Sequence, residues 1–108
     1  MTHWIDVCCI DDLQIDSGIC VLVAGQQVAV FYRSLRGTVY ATNNFDPFSG
    51  VNVLSRGLTG DVDGQPFVAS PLYKHRFNLE TGVCFEDSSV SIQTYPIRFE
   101  GDCVQINI

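Results

Sequence analysis

Positive charge is scarce in this sequence: six Lys and Arg stand against twelve Asp and Glu, a formal net charge of −6. Binding to a phosphate backbone rests on Lys and Arg neutralising phosphates, so nucleic acid is excluded as an expected partner. Long apolar runs are missing as well. The longest, Ile19-Cys20-Val21-Leu22-Val23-Ala24, falls far short of the roughly 20 residues of a helical bilayer crossing. The start, Met1-Thr2-His3-Trp4-Ile5-Asp6, lacks the charged and apolar regions of an export signal. The expectation is a cytoplasmic chain that engages no membrane.

Spaced metal ligands are also lacking. There is no Cys-x-x-Cys and no His-x-x-His, and histidine occurs only twice. The five cysteines are an odd number, and Cys8, Cys20 and Cys103 lie in apolar runs that read as strands. There a free thiol behaves as a small hydrophobe, which predicts buried thiols rather than a disulfide scaffold. Cys84, His75 and a neighbouring carboxylate would be the remaining metal set, with no spacing to support it. A cysteine nucleophile would have only His75 as its base, since His3 lies at the N-terminal tail. Asp61 and Asp63 before Gly64 begin like a calcium loop, but the alternating acids stop after two, so the segment reads as a solvated turn. Trp4 has no second aromatic beside it and reads as a packing residue.

What the sequence does contain is strand pattern. Its 108 residues, 46% of them hydrophobic and four of them proline, suit one domain spanning residues 1–108. Apolar, β-branched runs of strand length recur between Gly, Asp and Asn, and no long segment keeps a 3.6-residue period. The fold class predicted is all-β. Cys20–Val23 and Val28–Tyr32 flank the turn Ala24-Gly25-Gln26-Gln27, and a third strand, Thr38–Asn43, follows Ser34-Leu35-Arg36-Gly37. Asn44 to Gly64, with four glycines, reads as a long loop. Pro66–Ala69, Arg76–Leu79 and Val83–Phe85 form a second small β unit, and Ile97–Phe99 with Cys103–Ile108 a terminal hairpin. Val104, Ile106 and Ile108 share one face of it. Only the neighbourhood of Asp11-Asp12-Leu13 suggests a helical turn.

Two loops share one construction, a proline directly after a polar residue at a strand end: Asp46-Pro47-Phe48-Ser49-Gly50 and Ser70-Pro71-Leu72-Tyr73-Lys74. With Leu54-Ser55-Arg56-Gly57 between them and Arg76-Phe77 and Thr81-Gly82 after them, this resembles a Rieske iron–sulfur domain. The family's loops read Cys-Pro-His-x-Gly and Cys-Pro-x-His-Gly. Carried over position by position, Asp46 and Ser70 hold the cysteine places, Phe48 and Tyr73 the histidine places, and Lys74 the final glycine. A Rieske centre needs two thiolates on one iron and two imidazoles on the other. Phe48 has no lone pair to give, and Asp46 with Ser70 cannot hold two irons.

This ligandless pattern is similar to one family in particular, the small subunits of cytoplasmic NADH-dependent nitrite reductases. The segments that carry the likeness are Trp4-Ile5-Asp6-Val7-Cys8, Asp46-Pro47-Phe48, Val53-Leu54-Ser55-Arg56-Gly57-Leu58, Val68-Ala69-Ser70-Pro71-Leu72 and Arg76-Phe77. The resemblance implies a Rieske-like antiparallel β-sandwich carrying a small inserted unit, Asn44 to Phe85, that binds no cofactor or metal and supplies no catalytic residue. It implies a large-subunit partner bearing FAD, sirohaem and a [4Fe–4S] cluster, and reduction of nitrite to ammonium in nitrate assimilation. Alternatives are a Rieske-type electron carrier, which the four exchanged positions speak against, and a free-standing interaction module of another oxidoreductase.

Charge placement adds a site. Arg56, Lys74 and Arg76, with His75 among them, fall in or near the two loops of an otherwise acidic chain, which predicts a locally positive tip. Two readings follow. In one the loops dock a partner, Phe48 and Tyr73 giving apolar contact and the cations steering toward an acidic surface. In the other both aromatics merely plug the vacated pocket.

Overall fold

The computed structural model describes residues 3–34 and 37–108. The turn expected at Ser34-Leu35-Arg36-Gly37 lies partly outside them. Strands are numbered here in chain order. One antiparallel sheet has the order β1 (Trp4–Cys9), β12 (Cys103–Asn107), β11 (Ile97–Glu100). The other runs β10 (Thr94–Tyr95), β4 (Thr38–Asn43), β3 (Gln26–Arg33), β2 (Ser17–Val23). Val23, Val28, Val30, Val39, Ala41, Tyr95 and Ile106 fill the space between them, so the all-β sandwich is as expected.

The unit inserted between β4 and β10 covers the second face of the larger sheet. Ala29 and Phe31 of β3 pack there against Leu54, Val68, Phe77, Leu79, Cys84 and Ile92. Because Val28 and Val30 point into one core and Ala29 and Phe31 into the other, residues 28–31 of β3 are an unbroken buried run, the mark of a strand covered on both faces. Each fully buried Phe or Leu in these cores contributes about 1.5–3 kcal/mol relative to exposure. Gly18 of β2 lets the insert approach, since a Cβ there would lie 2.5 Å from the Ser55 carbonyl.

Several expectations are corrected. The first hairpin turns on Ala24 and Gly25 alone, at φ +50° and +79°, because two left-handed residues give the twist that matches the strands. Gln26 and Gln27 therefore belong to β3. Asn44 to Gly64 is not one long loop. It holds β5 (Phe45–Asp46), β6 (Val51–Asn52), a short 3-10 turn (Leu54–Arg56) and β7 (Leu58–Val62), and β7 pairs with β8 (Gln65–Ala69). Gly60 hides β7 from a propensity reading. It faces Phe67, whose ring would lie 2.7 Å from a Cβ at that position.

Arg76–Asn78 forms β9, whereas Val83–Phe85 makes only isolated bridges, Phe77 to Cys84 and Val83 to Ser91. The helical turn spans Ile10–Asp12. Val104 and Ile106 are fully buried, but Ile108 lies past the strand end and is exposed. The thiols also differ from expectation. All five cysteines are free and only Cys84 is buried; Cys9 and Cys20 are exposed, Cys8 and Cys103 half-buried. Cys20 and Cys103 sit in the outward phase of their strands' alternation. Trp4 carries the Arg98 guanidinium 4.1 Å above its ring.

Candidate functional site

Both proline loops are single hairpin connections, residues 47–50 between β5 and β6 and residues 70–75 between β8 and β9. They close the same way. Gly50 N–H donates to the Asp46 carbonyl at 2.8 Å, and Lys74 N–H to the Ser70 carbonyl at 3.1 Å. The residue that closes each turn is left-handed, Gly50 at φ +76° and Lys74 at φ +67°. Lys74 thus holds the backbone conformation for which glycine is the usual residue.

The two anchors meet. Ser70 Oγ donates to Asp46 Oδ2 at 2.5 Å, Ser49 Oγ to the same oxygen at 2.9 Å, and Phe48 N–H to Oδ1 at 2.9 Å. Asp46 is completely buried. Burial alone would raise its pKa, but the donors from Ser70, Phe48 and Ser49 outweigh it and hold the carboxyl below its ordinary value. A charged carboxylate occupies the loop junction, satisfied by the loops themselves.

Phe48 lies face to face with His75, ring centroids 3.6 Å apart at 8°, and tilts against Phe77 of the core at 6.1 Å. His75 Nδ1 is buried there without a hydrogen-bond partner among the described residues. Tyr73 is 64% exposed, beside exposed Leu72. The two former histidine positions have therefore parted: Phe48 is half-buried in a stack, and Tyr73 faces solvent.

The cations divide too. Arg56 and Lys74 are exposed and, among the described residues, form no ion pair. Arg76 is turned onto Glu86, Nε to Oε2 at 2.6 Å, and the Arg76 N–H also donates to that carboxylate at 2.7 Å. Burial pushes Glu86 up, yet the Arg76 bonds and charge bring it below its ordinary value. The Arg76 guanidinium also lies 5.6 Å from the Phe67 ring and 5.7 Å from that of Phe85.

Two further anchors carry no motif. Asn44 is buried, accepting the Ser55 N–H at 2.7 Å and donating to Gln27 at 3.0 Å, which fixes where β4 enters the first loop. Arg33, at the end of β3, is buried and binds Asp16 at 3.2 Å, Thr59 at 2.8 Å and Asp61 at 2.8 Å, tying the sandwich to β7 of the insert. The only sequence cue for either was a polar residue at the end of an apolar strand.

The profile of the Rieske-like [2Fe-2S] domain family matches residues 3–107. The nitrite reductase (NADH) small subunit of Escherichia coli K12 is 42% identical, the alignment covering 98% of each chain. This chain is a Rieske-like domain of the nitrite reductase (NADH) small-subunit family. The NMR structure of the E. coli protein NirD superposes with a TM-score of 0.90 at 42% identity, over 100% of this chain and 98% of that one. The domain also occurs inside a longer polypeptide, the nitrite reductase [NAD(P)H] large subunit of Klebsiella oxytoca, 36% identical over 95% of this chain and 11% of that protein.

A Rieske-like family implies a [2Fe–2S] centre on two thiolates and two imidazoles. In this member of the family the residues do not fit that group. Neither loop holds a cysteine, the carboxylate and hydroxyl at the thiolate positions are bonded to each other, and one imidazole position is a phenyl ring stacked on His75. Among the described residues no three of His, Cys, Asp and Glu gather as metal ligands. No helix among them is long and apolar enough to cross a membrane.

Proposed function

We propose that this chain is the small subunit of an NADH-dependent nitrite reductase, a Rieske-like domain without a cluster that docks on the large subunit through its two former ligand loops. The observation that carries this reading is the same domain built into the K. oxytoca large subunit. A domain that is covalently part of the enzyme in one protein needs a binding face when it is a separate chain.

That face comprises exposed Tyr73 with Leu72 for apolar contact and Arg56 and Lys74 for steering toward acidic groups. Phe48, His75 and Arg76 act behind it. The Phe48–His75 stack and the Arg76–Glu86 pair hold the second loop in shape. The chain supplies no catalytic residue. FAD, sirohaem and a [4Fe–4S] cluster reside on the large subunit, which reduces nitrite to ammonium in the cytoplasm during nitrate assimilation.

The test is co-expression with affinity capture of this chain, which is expected to retrieve a large protein with flavin and sirohaem absorbance. The chain purified alone without oxygen is expected to be colourless and iron-free. A reddish-brown preparation with the electron paramagnetic resonance of a reduced binuclear centre would refute the cluster-free reading. Capture of no flavin protein would refute the subunit reading.

A further inference from the structure

We propose that Cys9 and Cys103 form a cross-strand dithiol that closes to a disulfide by exchange with a small disulfide, and that surrounding carboxylates select cationic disulfides over anionic ones. This site lies in the three-stranded sheet and is independent of the loops above.

Cys9 of β1 stands directly opposite Cys103 of β12. The Ile10 N–H donates to the Asp102 carbonyl at 2.9 Å, so residues 10 and 102 are a hydrogen-bonded pair. Pair types alternate along an antiparallel ladder, which makes Cys9 and Cys103 a non-hydrogen-bonded pair, the type in which side chains come closest. Typical Cα separations for such pairs, about 4.5 Å, fall at the lower end of the range that a disulfide spans. Both thiols point to the outer face: Cys103 shares the phase of Gln105 and Asn107, opposite to buried Val104 and Ile106. Cys8, one residue away, is paired with Val104 and lies on the other face.

Five carboxylates surround the pair. Glu100 of β11 flanks Cys103 on the side away from Cys9, Asp12 accepts the Cys9 N–H at 2.8 Å, and Asp6, Asp11 and Asp102 are exposed on the adjoining segments. Asp6, burial, Cys9, Asp102 and Glu100 together raise the Cys103 thiol above its ordinary pKa. Arg98 lies one pair further along the same face, on Gln105, and its guanidinium is turned over Trp4. The field at the sulfurs is therefore negative, which draws in an ammonium-bearing disulfide and repels a carboxylate-bearing one.

The chemistry balances without a further oxidant. Exposed Cys9, as thiolate, attacks one sulfur of R–S–S–R, forming Cys9–S–S–R and releasing RS⁻. Cys103, as thiolate, then attacks the Cys9 sulfur and expels the second RS⁻. The two protons leaving the protein thiols end on the two released thiolates, and two electrons pass from the protein sulfurs to the small disulfide. The product fastens β1, an edge strand that among the described residues pairs only with β12, to the centre of its sheet.

Cystamine is the cationic probe and dithiodipropionate the anionic one. With cystamine the full chain is expected to yield a proteolytic fragment pair joined through Cys9 and Cys103, two hydrogen masses lighter than the two reduced fragments together, whatever adduct the separate exposed thiol Cys20 carries. At low salt the reaction is expected to run at least about tenfold faster than with dithiodipropionate, an advantage that shrinks at high salt. Cys103→Ser is expected to stop at a persistent Cys9 adduct, while Cys8→Ser and Cys20→Ser close normally. The proposal is overturned if Cys9 of the wild-type chain stops at an adduct, if the mapped bond joins Cys8 to Cys9, or if the anionic disulfide closes the pair as fast. The linkage is read on the wild-type chain, so it does not depend on any variant folding.

Discussion

Ser70 donates a 2.5 Å hydrogen bond to Asp46, joining the two residues that stand where a Rieske domain has its cysteines. The junction of the two loops is closed by a buried carboxylate and three donors. Replacing Asp46 by Ala would orphan all three at once, and the expected cost is about 2–4 kcal/mol by urea denaturation. A cost below 1 kcal/mol would mean that water already satisfies these groups.

The same carboxyl gives a pH signature. Its folded pKa lies below the unfolded value near 3.8, so its contribution is complete above that pH and is lost as pH falls through the folded pKa. The stability gap between wild type and Asp46→Asn is therefore expected to be widest near neutrality and to narrow below about pH 4. A gap that widens on acidification would reverse the assigned sign.

Phe48 and Tyr73 separate plugging from docking. Phe48→Ala removes the partner of His75 and a neighbour of Phe77 and is expected to cost about 1–3 kcal/mol, less than a fully buried Phe. Tyr73→Ala is expected to leave the melting temperature unchanged and to weaken capture of the large subunit. Equal thermal losses for both variants would make Tyr73 a second plug.

Arg56→Glu with Lys74→Glu reverses two charges that have no internal partner among the described residues. Association with the large subunit is expected to slow by roughly tenfold or more at low salt, with little change in melting. Unchanged association kinetics would reject steering by these residues. Lys74→Gly is a useful control, because the left-handed backbone at that position suits glycine and the fold should keep its stability within about 1 kcal/mol.

Arg33→Met tests the link between sandwich and insert. Removing a buried guanidinium that binds Asp16, Thr59 and Asp61 is expected to cost about 2–4 kcal/mol, with faster hydrogen exchange in β7 than in β12. Equal protection in both strands would place Arg33 outside the interface that holds the insert.

Strand alternation made β2, β3, β4, β11 and β12 readable in advance, since burial on one or both faces writes itself directly into residue order. The proline offsets likewise exposed the two loops and their missing ligands. β7 was not readable, because Gly60 yields its side-chain space to Phe67, its partner across the hairpin in β8, and so breaks the apolar alternation. Counting from Ser70 set Tyr73 opposite Phe48, but the left-handed turn at Lys74 carries the chain back so that the His75 carbonyl accepts the Ser70 N–H and its ring meets Phe48.

Composition and alternation by themselves determined an acidic all-β domain, and the loop motifs that resemble a Rieske domain showed no thiolate or imidazole at the four ligand positions, because each is a property of local residue order. Only the tertiary structure decided that Asp46 bonds Ser70, that Phe48 stacks on His75, that Arg33 is buried among acids and that Cys9 faces Cys103. Those relationships join residues far apart along the chain, and it is sheet register and turn handedness that bring them within reach.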